Sequence, residues 1–317
     1  MAPDDETYLR SPARETGVRS VVVVAGLLAA VGVWGVWRVF VATRTGQLLD
    51  QAALEGAELG RNRLWQLAEP VLDVISMPFI ATVLGVSVVV ALARRRWLLA
   101  GQIVLFMAGA NLTTQILKYG IFDRPDLDVG DRLANTLPSG HTTAATSCAV
   151  ALLLVVPRRF RALAAVGGAV YAAATGISTL IGAWHRPGDV VAAVLVVLAW
   201  TCTVRALGPA GSAGTRADHR RETSAAALLI AASGVAAAVA VVAIQRTLVA
   251  LEKVTDQYHS TGLHDRADHL TAYAGGSLGI VAVVFATFGL VLLLLRVTEP
   301  RGDRDVVHSD RPTQAQG

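Results

Sequence analysis

"ATVLGVSVVVALARRRWLLAGQIVLF" occupies residues 81–106. Two apolar runs flank three consecutive arginines. Apolar runs of this kind are stable in lipid, and a triplet of guanidinium groups is not, so the stretch reads as the end of one membrane-spanning helix, a short basic turn and the start of the next. The rest of the chain repeats the plan. Of its 317 residues 53% are hydrophobic and 16% charged, against roughly 25% charged in a soluble domain; mean hydropathy is +0.51. A net charge of +4 does not point to nucleic acid, because many of the arginines sit at the ends of apolar blocks, where membrane topology accounts for them. Cys148 and Cys202 both lie inside apolar blocks and read as buried thiols.

A spanning helix needs about 20 mostly apolar residues. Eight stretches are candidates: 20–42, 71–93, 97–117, 142–156 (the shortest), 162–183, 190–207, 225–249 and 272–295. The expected fold is therefore all-α, a polytopic helical bundle. The first stretch is too long for a cleaved signal and reads as a retained anchor. Arg10, Arg14 and Arg19, the triplet at 94–96, then Arg158, Arg159 and Arg161, then Arg205, Arg216, Arg220 and Arg221, and finally Arg296, Arg301, Arg304 and Arg311 all fall on one side of an eight-span chain. The positive-inside rule makes that side cytoplasmic, with both termini. Segments 43–70, 118–141, 184–189 and 250–271 are then outside, and Arg246 near the outer end of the seventh span snorkels to the interface.

The division that follows is a cytoplasmic tail over 1–19, a six-span core over 20–207, a Gly/Ala/Ser-rich linker over 208–223, a two-span hairpin over 224–296 and a polar, disordered tail over 297–317. Residues 47–67 read as one outer helix, lying at the membrane surface or simply connecting spans. Pro70 fits the first turn of the second span, and Pro78 is expected to kink it.

Three polar clusters fall at outer helix ends: "KYGIFDRPD" at 118–126, "PSGH" at 138–141 and "STLIGAWHRPGD" at 178–189. Ionisable groups at membrane depth are costly and usually functional. Lys118 and Arg124 can neutralise a phosphoryl group, the arginine through its bidentate fork. Ser139 and Gly140 stand where a helix begins, so free N–H groups and the helix dipole favour an anion there. His141 can give a proton to a leaving oxygen. His185 and Asp189 are four apart across a Pro-Gly helix start, a spacing that lets a carboxylate hold one ring nitrogen and aim the other at phosphorus. The acidic run around Asp126, Asp128 and Asp131 could recruit a cation near the phosphate, beside the default of a solvated loop. "HDRADH" at 264–269 puts His264 and Asp268 on one helix face, a weak metal pattern beside the default of a solvated loop.

Together the clusters resemble the signature of the type 2 phosphatidic acid phosphatase superfamily, integral-membrane lipid phosphatases related to vanadium haloperoxidases. The resemblance covers roughly residues 71–207. It implies His185 as a nucleophile forming a phosphohistidine, Asp189 as its orienting partner and His141 as the acid for the leaving group. Lys118, Arg124, Ser139 and Gly140 would hold the phosphate, with no metal or other cofactor. Two departures stand out. Five residues, not six, separate Lys118 from Arg124, which is about 100° of helical rotation. Ser178-Thr179 occurs where the family has Ser-Arg. Arg186 and Arg132 are substitutes for that guanidinium by proximity in sequence, and Ser178 is a further candidate contact.

The expected activity is metal-independent hydrolysis of a lipid phosphate or diphosphate at the extracytoplasmic face. An isoprenoid diphosphate carrier is the favoured substrate and the partner is the membrane itself. The Ala/Val/Arg-rich usage suggests a bacterial source. The missing arginine and the extra hairpin motivate the alternative, a catalytically degenerate lipid-binding or transport protein on the same scaffold. A structural scaffold within a membrane complex would explain the hairpin but not the outer clusters.

Overall fold

The computed structural model describes residues 12–73, 77–130, 134–208, 216–258 and 262–298. The expected basic tails at 1–11 and 299–317, Asp131 and Arg132 lie outside the described residues. What is described is a bundle of helices: α1 (Pro12–Val36), α2 (Arg44–Glu58), α3 (Arg61–Asp73), α4 (Met77–Ala93), α5 (Trp97–Ile116), α6 (Gly140–Val155), α7 (Arg158–Ile181), α8 (Pro187–Ala206), α9 (Arg216–Tyr258) and α10 (Arg266–Thr298). Six of the helical segments are long and apolar enough to cross a membrane, and two more, Ile80–Ala93 and Gly140–Val155, are apolar but shorter. Within the described residues each of the eight apolar stretches is largely helical, and the chain is an all-α polytopic membrane protein.

α6 is the axis of the bundle. Its sequence, "GHTTAATSCAVALLLV", has small or apolar side chains all round, so no face prefers water. It is buried from Thr142 to Val155 except at Leu152, enclosed by α4, α5, α7 and α8. Small side chains let the neighbours approach closely. The polar ones bond across helices: Thr114 and Thr143 hydroxyls are 2.9 Å apart, and Asn111 Nδ2 donates to Ser147 Oγ over 3.3 Å. α1 packs on α8, and the α9–α10 hairpin closes on α7 and α8. Outward-facing side chains such as Leu27, Leu28, Leu228 and Val235 are apolar and exposed, a surface suited to lipid. Cys148 and Cys202 are buried free thiols.

Three local expectations are corrected. Pro70 lies inside α3 and not in the first turn of the second span; the kink expected at Pro78 involves residues 74–76, which lie outside the described residues. The outer helix over 47–67 is two helices, parted at Leu59 and Gly60. α2 does not lie free at a surface: Leu48, Ala52, Ala53, Leu54 and Ala57 are buried, and the helix packs mainly on α10. The linker over 208–223 is helical from Arg216 onward, because Asp218 complements the start of α9 and Glu222 is buried beside Arg161 at 3.7 Å.

The two ends of the bundle differ in chemistry. At one end Arg94 donates to the Val155 carbonyl, Arg158 meets His219, and Arg205 donates to Thr298. The basic turns counted in the sequence therefore gather at one end. α2, α3 and the three polar clusters occupy the other.

Candidate active site

The turn between α7 and α8 carries the third cluster. Gly182 caps α7, Ala183 turns the chain with φ 55°, and the Thr179 carbonyl accepts the N–H groups of Trp184 and His185 at 3.0 and 3.3 Å. Pro187 then starts α8, leaving Asp189 in its first turn. The Asp189 carboxylate accepts three donors on Oδ2: Thr136 Oγ1 at 2.6 Å, the Arg186 N–H at 2.9 Å and His185 Nδ1 at 3.2 Å. The Arg186 bond caps the helix. With Nδ1 bound to a carboxylate, His185 has its Nε2 free of hydrogen bonds among the described residues. Both side chains are buried.

The second cluster is tied to the third through the backbone. The Ser139 N–H donates to the Asp189 carbonyl over 2.9 Å. Ser139 then caps α6, its Oγ accepting the Thr142 N–H at 3.3 Å. That leaves the hydroxyl proton available as a donor. A Cβ added at Gly140 would meet only Gln115 Nε2, at an ordinary contact distance of 3.7 Å, so the position is uncrowded. The His141 ring lies 6.4 Å from that of His185 and 5.2 Å from Trp184. Trp184 also packs edge-on to Trp65 of α3, and both line an open hollow of about 590 Å³ with Arg61, Asn62 and Gly182.

The first cluster leaves α5 through a π-helical turn, Leu117–Ile121. A π turn closes i→i+5 and so rotates less per residue than an α-helix. The missing spacer between Lys118 and Arg124 therefore falls in a segment whose winding is itself altered. Asn135 stitches the cluster to the second one: its Nδ2 donates to the carbonyls of Lys118, Phe122 and Leu137. Trp37 stacks on Phe122 and donates to the Asp123 carbonyl, while Gln47 holds the Pro125 carbonyl. Lys118 is half-buried, close enough for its charge to act on His141. Arg124 is half-buried too, and its Nη2 is buried with no hydrogen-bond partner.

Of the candidates, His141, His185, Asp189, Ser139, Gly140, Lys118, Arg124 and Arg186 come together at one end of the bundle. Ser178 is buried in the last turn of α7, where its carbonyl accepts the Gly182 N–H. Thr179 is buried as well, and its hydroxyl donates back to the Gly176 carbonyl over 2.7 Å, so no side chain of that position supplies a cation. His264 and Asp268 do not share a helix face, because α10 starts at Arg266, after His264. His269 instead pairs with Glu55 at 3.1 Å. Among the described residues no group of three or more His, Cys, Asp or Glu is arranged to hold a metal ion.

The site also contains residues no motif announced. Asp50 of α2 is buried and accepts the Gly188 N–H on Oδ1 at 3.1 Å. Burial, with the Asp189 charge adding to it, pushes its carboxyl up to about 7, against the opposing Gly188 N–H, Arg186 and Arg124. The Arg124 guanidinium is pushed down from its ordinary value by burial and by Arg186, against the pull of Asp50 and Asp189. Two arginines and two aspartates thus share one poorly solvated locus. Gln51, next to Asp50, accepts from Arg186 Nε and Nη2 at 3.3 and 3.1 Å. The one signal in the sequence was periodicity: Gln47, Asp50, Leu54 and Ala57 share a helix face, so two polar side chains stand on an otherwise apolar stripe.

Residues 99–210 match the family model of the PAP2 superfamily, whose members are phosphatases. Neither a curated protein nor a solved structure matches the chain.

Proposed function

We propose that this chain, which belongs to the PAP2 superfamily through residues 99–210, hydrolyses a lipid phosphate or diphosphate through a phosphohistidine. The observation that carries the reading is the buried His185–Asp189 pair at 3.2 Å with the His141 ring 6.4 Å away. Asp189 holds Nδ1, so the Nε2 lone pair of His185 attacks phosphorus. The bond from phosphorus to the leaving oxygen breaks as His141 gives that oxygen its proton. Water, deprotonated by His141, then attacks phosphorus, the P–N bond breaks and His185 is restored.

The anion is held by Arg124, Lys118, Arg186, the Ser139 hydroxyl and the N–H groups that open α6. An anion between Arg124 and Arg186 relieves the repulsion of two like charges and gives the buried Nη2 of Arg124 its missing partner. The hollow lined by Trp65 and Trp184 lies on the His141 side and suits the leaving group. We assign the basic end of the bundle, with both termini, to the cytoplasm and the site to the extracytoplasmic face. An isoprenoid diphosphate carrier is the favoured substrate.

The purified chain, assayed with chelator present on a panel of lipid phosphates, is expected to release phosphate. His185→Ala should lower turnover by about 10³-fold or more, and His141→Ala by about 10²–10⁴-fold. One histidine must be neutral and the other protonated, so kcat/KM should trace a bell against pH. Turnover that survives His185→Ala refutes the mechanism. Thr179 favours a second reading, a non-catalytic lipid phosphate carrier, because its hydroxyl is turned into α7. Phosphate release by the wild type eliminates that reading.

A further inference from the structure

α2 lies more than a hundred residues before the His185–Asp189 turn and yet grips it at two adjacent positions. Asp50 takes the Gly188 N–H, and Gln51 Oε1 takes both Nε and Nη2 of Arg186. No other side chain among the described residues accepts a hydrogen bond from the Arg186 guanidinium, which is buried. The orientation of the Gln51 amide follows from chemistry: a guanidinium only donates and a carboxylate only accepts. The oxygen therefore faces Arg186 while Nε2 donates to Glu55 Oε1 at 3.0 Å. Gly130, with φ +65°, closes over the same amide; a Cβ there would lie 3.0 Å from Gln51 Cδ. The amide is thus fixed from three sides: by Arg186, by Glu55 and by the loop that follows Arg124. Glu55 in turn meets His269 of α10 at 3.1 Å.

We propose that Gln51 is a positioning residue of the phosphate seat. It fixes the guanidinium of Arg186, the cation that stands in for the one absent at position 179, and so makes α2 part of the active site. An arginine side chain has several rotatable bonds, and a fixed one loses less freedom when it meets its anion. With the Nε–Nη2 edge committed to Gln51, both protons of Nη1 and the second proton of Nη2 are left for the phosphate. The inference rests on the phosphatase reading above, but its test does not require turnover.

The probe is inorganic phosphate, its affinity for the purified full-length chain read from the dose-dependent rise in melting temperature. Gln51→Met keeps the side-chain shape and removes the acceptor. It should weaken phosphate binding about tenfold, the scale of one charge-assisted hydrogen bond. Arg186→Ala should weaken it at least as much. The double variant should bind no worse than Arg186→Ala alone, because Gln51 acts only through Arg186. A merely structural Gln51 would give losses that multiply. Multiplying losses, an unaltered Gln51→Met or Arg186→Ala, or no phosphate binding by the wild type overturns the proposal. If Gln51→Met fails to fold, Gln51→Ala is read in the same cycle. A lipid phosphate assay on the wild type runs in parallel: binding that shows the coupling without turnover retires the phosphatase reading and leaves the positioning role standing.

Discussion

The carboxyl of Asp50, raised from 3.8 to about 7, binds its proton more tightly in the folded chain than in the unfolded one. Its contribution to stability is complete below about pH 4, fades as pH rises and is gone above about pH 7. Asp50→Asn keeps an oxygen for the Gly188 N–H and removes the titration. Thermal melts of the two proteins between pH 5 and 8 should diverge, the wild type losing melting temperature with rising pH and Asp50→Asn losing less; parallel curves would refute the assignment. At this scale much of the site was legible in the sequence. His141, His185 and Asp189 lie within local motifs whose spacing fixes their geometry, and the fold brings them together. Asp50 showed only as a polar residue on an apolar helix stripe and Gln51 and Thr136 not at all, because their meaning comes from partners 138, 135 and 53 residues away, and no local pattern encodes such distances.

Among the elements, α2 depends on a glycine that belongs to its partner. A Cβ at Gly188 would lie 2.7 Å from Asp50 Oδ2 and 3.3 Å from Phe40 Cβ. Gly188→Ala should therefore push α2 off the start of α8, destabilise the protein by about 1–3 kcal/mol and lower kcat/KM. Adding Asp50→Ser, which withdraws the carboxylate, should recover part of the melting temperature; no recovery would mean that the clash lies elsewhere. The spans were legible because an apolar run of helical length has few other fates in a chain of this composition. The break at Gly60, the early start of α9 and the place of Pro70 inside α3 were not. Each turns on a few tenths to a few kcal/mol of local preference, settled by contacts such as Arg161 with Glu222 and not by the run itself.

Across the whole molecule the hairpin is bound to the site through α2. A Cβ at Gly56 would lie 2.1 Å from the His269 carbonyl oxygen, so α2 and α10 touch backbone to backbone there, and Glu55 adds its contact to His269. A chain ending at residue 207 should therefore lose activity, although every motif residue is present, and supplying residues 208–317 as a second chain should restore part of it; full activity without the hairpin would refute the coupling. Size matters elsewhere as well. α6 has 16 residues, about 24 Å at about 1.5 Å per residue, against a hydrocarbon layer of about 30 Å. If the inner end of α6 is level with one boundary of that layer, the end bearing His141 stops several ångströms short of the other. The reacting phosphate would then meet its nucleophile at the depth where a lipid already carries its headgroup. A lipid substrate would arrive sideways, by diffusion within the leaflet, and its concentration would be a surface density and not a molarity. Selection among phosphate esters then begins with how deeply each one is anchored, before any side chain touches it.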